Sequence, residues 1–430
     1  MPDLTDQLLP ELRSRRIPEL ALPEDLLVPA YQGQSILNIP NSICRLLDVP
    51  PINENPPLRP EILDPLGTGA KKVLFILMDA LALHRFKAWT AAAENSVWQR
   101  LMPDSTLAPL TSIAPSTTSA ALSTYWTGTP AGVHGVVGYE AWLKEYGIVA
   151  NMIQHKPINY RGGRDGSLDL AGFEPETFLQ VPTMGTHLSA HGVAPHAFQS
   201  YTIIHSGLSR MYFSDVEKHA TSTAVDLWVT VRKVFEQSTA DKLYAWVYWP
   251  DVDGLSHFFG PDEERVEGEF ANFSRAFDEY FLQKLSAGQL KDTVVILGAD
   301  HGQILTDKTD AHYDLRNHPD FTRRLHMMPT GENRMAFLYI KPGQVEAVRE
   351  YIERTWPNQF TLLEPAYAVE KGLFGPGKPN PRLLDRIGDM IALARGTAFW
   401  WWSSKENPIV GRHGGLHEQE MVVPFFATRF

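Results

Sequence analysis

TVVILGADHG (293–302) is a short apolar run that stops on Asp300, with His301 beside it. Two other runs have the same form. VLFILMD (73–79) finishes on Asp79, and LYAWVYWPDVD (243–253) finishes on Asp253, with His257 four residues later. Continuous apolar stretches of this length suit strands buried on both faces of a parallel sheet. Ligands of such sheets bind just outside the carboxyl ends of the strands. Three carboxylates delivered there, two with an imidazole close by, predict a site for hard or borderline cations.

Outward from these runs, strand and helix patterns alternate. A helix-like stretch follows Asp79 and continues through Trp98 to Leu101, and a Ser/Thr-rich segment occupies 108–140. ETFLQVPTMGTHLSAHGV (176–193) reads as a helix capped by Gly192 and leads to a strand around APHAFQSY. TSTAVDLWVTVRKVFEQS (221–238) and GEFANFSRAFDEYFLQKLSAG (268–288) have helical periodicity, the second closed by Gly288. The expected fold class is α/β: a mostly parallel central sheet sandwiched by helices, with an inserted smaller α+β cap. DVPPINENPPLRPEI (48–62) carries five prolines, so residues 1–66 are expected to form an irregular N-terminal arm. Residues 67–303 plus 405–430 are expected to form the core, closed by a final strand, VVPFFA. Residues 304–404 read as the cap: strand, helix and strand over 334–364, then turn, strand and second strand over 382–404.

Composition narrows the function. The 430 residues are 43% hydrophobic and 21% charged, ordinary for a folded chain. A net charge of -11 argues against a broad nucleic-acid surface, so no duplex partner is expected. It leaves room for a phosphate substrate, because bound metal can supply local positive charge. The single cysteine, Cys44, precludes an internal disulfide and leaves Asp, Glu and His as the metal ligands. No signal-peptide pattern is visible, and no apolar run reaches the ~18 residues of a membrane span. A cytoplasmic enzyme without membrane attachment is the expectation. Oligomeric state is unreadable.

APSTTSAALSTYWTGTPAGVHGVVGY (114–139) is the second informative stretch. SAALSTYWT is helix-compatible and ends before Gly128, which sets Thr118 at or near a helix N-terminus. Free N–H groups and the positive dipole end favour an anionic oxygen there. A divalent metal on that oxygen would lower its pKa and activate it.

With these motifs in hand, the chain resembles the alkaline phosphatase superfamily, and within it the type I phosphodiesterase / nucleotide pyrophosphatase family. The resemblance rests on five motifs in family order: MDA at Asp79, TTSAALSTYWTG…HG, DGLSHFFGP, ADHG and RHGG (412–415). It implies Thr118 as nucleophile. It implies Asp253, His257 and His413 as ligands of one metal, and Asp79, Asp300, His301 and the Thr118 oxygen as ligands of another. Two divalent ions are implied, Zn2+ first, with Mn2+, iron and Ca2+ left open. The implied activity is hydrolysis of a small phosphate ester or nucleotide-like substrate through a phospho-threonine. A phosphomonoesterase on the same scaffold, and a non-catalytic binding protein on a degenerate one, are the alternatives.

The chain departs from the family twice. Ala80 stands where Gly is usual, a minor change if φ there is negative. Ala121 stands where the nucleotide pyrophosphatases carry a phosphoryl-binding Asn, so the oxyanion donor is unassigned; backbone N–H groups at the helix start or Asn151 are the candidates. Several histidines have bland readings: His134 as a turn residue, His187 and His191 as a last-turn pair, and His417 at a helix start. FWWW (399–402) is expected in the core of the cap.

Overall fold

The structure is a computed structural model that describes residues 2–93, 95–158 and 163–430. Its centre is a seven-stranded sheet. In spatial order the strands are Ser105–Thr111, Val422–Arg429, Thr293–Gly298, Lys72–Met78, Lys242–Trp249, Val193–Ser200 and Glu217–Thr221. All run the same way except Val422–Arg429, which is antiparallel to both neighbours. The three motif-bearing strands are adjacent. Met78 lies opposite Trp249, and Leu77 opposite Gly298, so their carboxyl ends are level.

These strands form where the sequence offers buried apolar runs, and aromatic packing holds helices against them. Phe75 stacks on Trp246 at 5.2 Å, and Tyr125 and Trp126 of the helix Thr118–Thr127 pack on the same indole. Elsewhere Trp228 of the helix Ala224–Gln237 and Trp98 both pack on Phe277 of the helix Glu264–Tyr280. Burial of each such ring contributes roughly 2–3 kcal/mol. Together they fix the sheet as a rigid base for whatever its loops carry.

A second sheet of seven strands is antiparallel throughout. Its order is Phe360–Leu363, Met390–Ala394, Met335–Leu338, Thr330–Glu332, Glu140–Leu143, Ile148–Asn151 and Lys156–Pro157. Three of these strands come from 140–157, a stretch expected in the core. The first two form a hairpin that turns at Gly147 (φ 63°), the third pairs with the second, and the first joins the sheet through Glu140 opposite Gly331. The link is a cross-chain pairing with no local signal.

Other expectations also change in detail. The first 66 residues carry the helices Thr5–Ser14 and Ile39–Leu46, and Leu8, Leu12, Ile43 and Leu46 are buried. Apolar side chains four apart give these segments a helix face to bury, while the proline-rich stretch before Pro60 stays irregular. The helix expected over 176–193 is two short ones, Pro175–Phe178 and Met184–Ala190, because Pro182 interrupts it. The second strand expected over 382–404 is not formed: after Met390–Ala394 the FWWW segment is irregular, with Trp400 buried and Trp401 and Trp402 partly exposed.

One buried ion pair ties the second sheet to the first. Arg334, in the turn before Met335–Leu338, donates to both oxygens of Glu420 at 2.8 and 2.9 Å, and both side chains are fully buried. Glu420 lies in the helix Glu418–Met421, which leads directly into the core strand Val422–Arg429. Removing one member of such a pair leaves an uncompensated charge, a cost of about 3–5 kcal/mol. Arg334→Met is therefore expected to destabilise the chain by that amount in urea unfolding; a loss below about 1 kcal/mol would show that the pair is not the tie.

Candidate active site

The loops after the three central strands bring the sequence-predicted residues to one place. Asp79 directly follows its strand, and its N–H continues the ladder to Trp249 O at 3.0 Å. The run expected to be strand as far as Asp253 ends earlier, because Pro250 cannot continue the ladder. Asp253 and His257 instead sit on the helix Asp251–Phe259, and four-residue spacing puts both on one face. Asp300 and His301 occupy the loop two residues past Gly298. His413 arrives from the short strand Gly411–Arg412, which pairs with Ile304–Leu305.

The distances are short. Thr118 Oγ1 lies 3.1 Å from His301 Nε2 and 3.5 Å from Asp79 Oδ2. His301 Nε2 is 3.5 Å from Asp79 Oδ1 and 3.4 Å from Asp300 Oδ2. His257 Nε2 is 3.2 Å from Asp253 Oδ2, and His413 Nε2 is 3.8 Å from Asp253 Oδ1. The rings of His301 and His413 stack at 3.8 Å. Two compact triads result, Asp79/Asp300/His301 and Asp253/His301/His413, each with donor atoms within 4.8 Å of one another. His301 belongs to both, and His257 reaches the second through Asp253.

The hydrogen bonds orient this set inward. His257, His301 and His413 each direct Nδ1 to a backbone carbonyl, of Gly411, Gly302 and Ser116, at 2.8, 3.0 and 3.2 Å. A carbonyl only accepts, so each Nδ1 carries a proton, and Nε2 is the nitrogen each neutral ring would offer to a cation. Each buried carboxylate has one oxygen held and one left bare. Asp300 Oδ1 accepts the N–H groups of Ala80 and His301, and Asp79 Oδ2 accepts the hydroxyl of Tyr248. Asp79 Oδ1 and Asp300 Oδ2 are buried without a hydrogen-bond partner among the described residues. Bare carboxylate oxygens facing bare imidazole nitrogens are the donor set that a divalent cation takes.

Electrostatics carry the same message. Burial, then the carboxylates of Asp300 and Asp253, push Asp79 well above the usual carboxylate range. Burial pushes Asp253 up too, but the imidazoles of His257, His413 and His301 outweigh it and hold this carboxyl below its ordinary value. Burial and the neighbouring His301 drive His413 far down. Tyr248, raised by burial and by Asp79, stays a phenol and a donor.

Thr118 opens the helix Thr118–Thr127, whose first-turn N–H groups lack intrahelical acceptors. It borders a cavity of about 1040 Å³ also lined by Trp142, Asn151, Trp402, Lys156 and Arg412. The Asn151 amide is engaged elsewhere: it donates to the Tyr139 hydroxyl at 2.6 Å and to Gln154 at 3.2 Å. His134 is buried and bonded to Thr124 and to the Val136 N–H, and His187 and His191 bond to backbone carbonyls. His417 accepts the Gln419 N–H at the start of the helix Glu418–Met421.

Three contributors escaped the sequence reading. Tyr248 holds Asp79, and Gln303 donates to Asp253. Glu332, from the second sheet, accepts the Thr117 hydroxyl at 2.7 Å and the Tyr139 N–H at 2.6 Å. Gly414 is what admits it: φ there is 103°, and a Cβ would meet Glu332 Cβ at 2.4 Å. Burial raises Glu332 to about 7.

The profile of the type I phosphodiesterase / nucleotide pyrophosphatase family matches residues 73–416, and the chain belongs to that family. Solved structures share its fold. Murine ectonucleotide pyrophosphatase / phosphodiesterase 5 superposes with a TM-score of 0.60 at 16% identity, over 83% of this chain and 88% of that one. An inactive form of the murine protein in complex with AMP gives 0.61 at 15% identity, over 83% and 88%. Phosphonoacetate hydrolase from Sinorhizobium meliloti 1021, in complex with phosphonoformate, gives 0.60 at 16% identity, over 84% and 90%. No curated protein matches the sequence.

Two predictions follow from the geometry. Ala80 has φ 62°, so the condition that would have made its replacement of Gly minor is not met. A left-handed alanine costs about 1–2 kcal/mol, against the roughly 0.5–1 kcal/mol entropy cost of glycine. Ala80→Gly is expected to leave the Asp300 hydrogen bond in place and stabilise the chain by up to about 1 kcal/mol; destabilisation would contradict the strain. Second, burial lowers His257, yet Asp253 outweighs it and raises the imidazole above its ordinary value. Asp253→Asn should bring His257 in the metal-free chain below ~6.5 in an NMR titration, and an unmoved midpoint would refute the coupling.

Proposed function

We propose that this chain is a two-metal hydrolase of phosphate diesters or pyrophosphates that works through a covalent phospho-threonine. Family membership supports a phosphoryl hydrolase of the phosphodiesterase / pyrophosphatase type. The observation that carries the finer reading is the pair of bare, buried oxygens on Asp79 and Asp300, which share the neighbour His301 Nε2 with Thr118 Oγ1. Asp253, His257 and His413 would hold one cation; Asp79, Asp300, His301 and the Thr118 oxygen would hold the other. Zn2+ is the ion we favour, because nitrogen and oxygen donors are mixed. Bound there, such cations neutralise phosphoryl oxygens and lower the pKa of a nearby hydroxyl.

The chain's own groups then divide the work. Thr118 Oγ1 gives its proton to solvent water and attacks phosphorus; the bond from phosphorus to the ester oxygen opposite breaks, and that oxygen leaves with the bonding electrons and takes a proton from solvent. The helix end behind Thr118 offers N–H groups to the phosphoryl oxygens, the role left open by Ala121. Water then displaces the threonine oxygen and restores it. Tyr248 and Gln303 hold Asp79 and Asp253 in place, and Glu332 fixes Thr117 next to the nucleophile. The cavity, lined partly by tryptophans, has room for a second ester group, which favours a diester over a bare monoester. We take the second sheet as the cap that supplies this wall.

The test is kinetic. Thr118→Ala is expected to reduce turnover of an aryl phosphodiester by at least about 10³-fold while metal content is retained. Retained activity would overturn the nucleophile. In a substrate panel with reconstituted metal, diesters and pyrophosphates should exceed monoesters and phosphonates in kcat/KM; the reverse order would reassign the chain to its alternative, the phosphomonoesterases. Less than one divalent ion per chain after reconstitution would favour a non-catalytic binder.

A further inference from the structure

A second group of side chains of metal-ligand type sits in the core sheet, three strands from Lys72–Met78 at the edge of the sheet. On the edge strand Glu217–Thr221, Glu217 and His219 alternate onto one face. His196 on the neighbouring strand pairs with Glu217 in register. His196 Nδ1 lies 3.0 Å from His219 Nε2 and 3.5 Å from Glu217 Oε2, and His219 Nε2 lies 3.5 Å from Glu217 Oε1. None of these residues lines the cavity beside Thr118.

The spacing is that of ligands around one ion. Bonds of ~2.0–2.1 Å in a tetrahedron separate donor atoms by roughly 3.3 Å. A hydrogen-bonded pair of imidazoles accounts for one of the three separations but not for the carboxylate equidistant from both. Phe198 stacks on His219 at 4.4 Å with nearly parallel rings and fixes that imidazole. His196 is almost fully buried, His219 largely so, and Glu217 reaches in from solvent, which leaves an entry path. Burial lowers both imidazoles, so both rings are neutral at pH 7. Presenting both inward nitrogens as lone pairs requires one ring to move its proton to its other nitrogen, with no net proton lost.

We infer that His196, Glu217 and His219 form a binding site for one borderline divalent cation, Zn2+ by its donor chemistry, that clamps the edge strand onto its neighbour. Two imidazoles and one carboxylate disfavour Mg2+ and Ca2+, which take oxygen ligands. An edge strand is paired on one side only, and a cross-strand cation supplies a tie that its backbone lacks. This site is independent of the one around Thr118.

The chain, stripped with chelator, reloaded with Zn2+ and freed of excess ion, tests the inference by elemental analysis. His219→Ala should hold one ion fewer per chain than the unsubstituted chain, or bind that ion at least about 10–100-fold more weakly, the loss that changes outside the ligands alone produce. Its turnover should match that of the unsubstituted chain. Equal metal content and affinity in the two would overturn the site. If His219→Ala fails to fold by circular dichroism, carbethoxylation of the unsubstituted chain decides instead. Zn2+ should shield His196 and His219 from diethyl pyrocarbonate where Mg2+ does not, read by peptide mass spectrometry; no shielding by Zn2+ would overturn the site.

Discussion

Asp79 and Asp300 are buried side by side, each with an oxygen that has no hydrogen-bond partner among the described residues. That arrangement is the constraint around which the molecule is organised. Removing a carboxylate from water costs several kcal/mol, and two together repel. Among the described residues no lysine or arginine pairs with either. The chain sets one imidazole nitrogen, His301 Nε2, against both, with that ring's Nδ1 bonded to the Gly302 carbonyl and the His413 ring stacked on it. Positive charge placed among these groups would relieve that repulsion, and this is the reason for proposing a cation there.

The sheet makes that arrangement tolerable. Three adjacent parallel strands end level, and each contributes its acid within a few residues of its last ladder bond. Aromatic contacts between Phe75, Trp246, Tyr125 and Trp126 couple the strand carrying Asp79 to the helix carrying Thr118. The nucleophile candidate is thereby fixed relative to the acids by core packing instead of by a mobile loop. Strain accepted at Ala80 is part of the same design: its left-handed backbone turns an N–H toward Asp300.

Much of this was legible in the sequence because it is local. An apolar run that stops on aspartate announces both a buried strand and the group at its end. Asp253 and His257 are four apart, and that spacing survives the change from strand end to helix. The residues that were missed act across distance. Tyr248 lies in a strand buried on both faces, where period-two alternation carries no sign of which face meets Asp79. Glu332 and the strands of 140–157 come together only through the second sheet, and no local pattern marks such a pairing. The arm before residue 66 was underread for another reason: its prolines hid two amphipathic helices. FWWW was half legible, since Trp400 is core while Trp401 and Trp402 face the cavity.

Anomalous diffraction at the zinc edge, from crystals of the reconstituted chain, tests the central claim most directly. The account predicts two strong peaks flanking the Thr118 hydroxyl, one bonded to Asp79 and Asp300 and the other to Asp253 and His413. Density for the same side chains with no anomalous peak among them would contradict it.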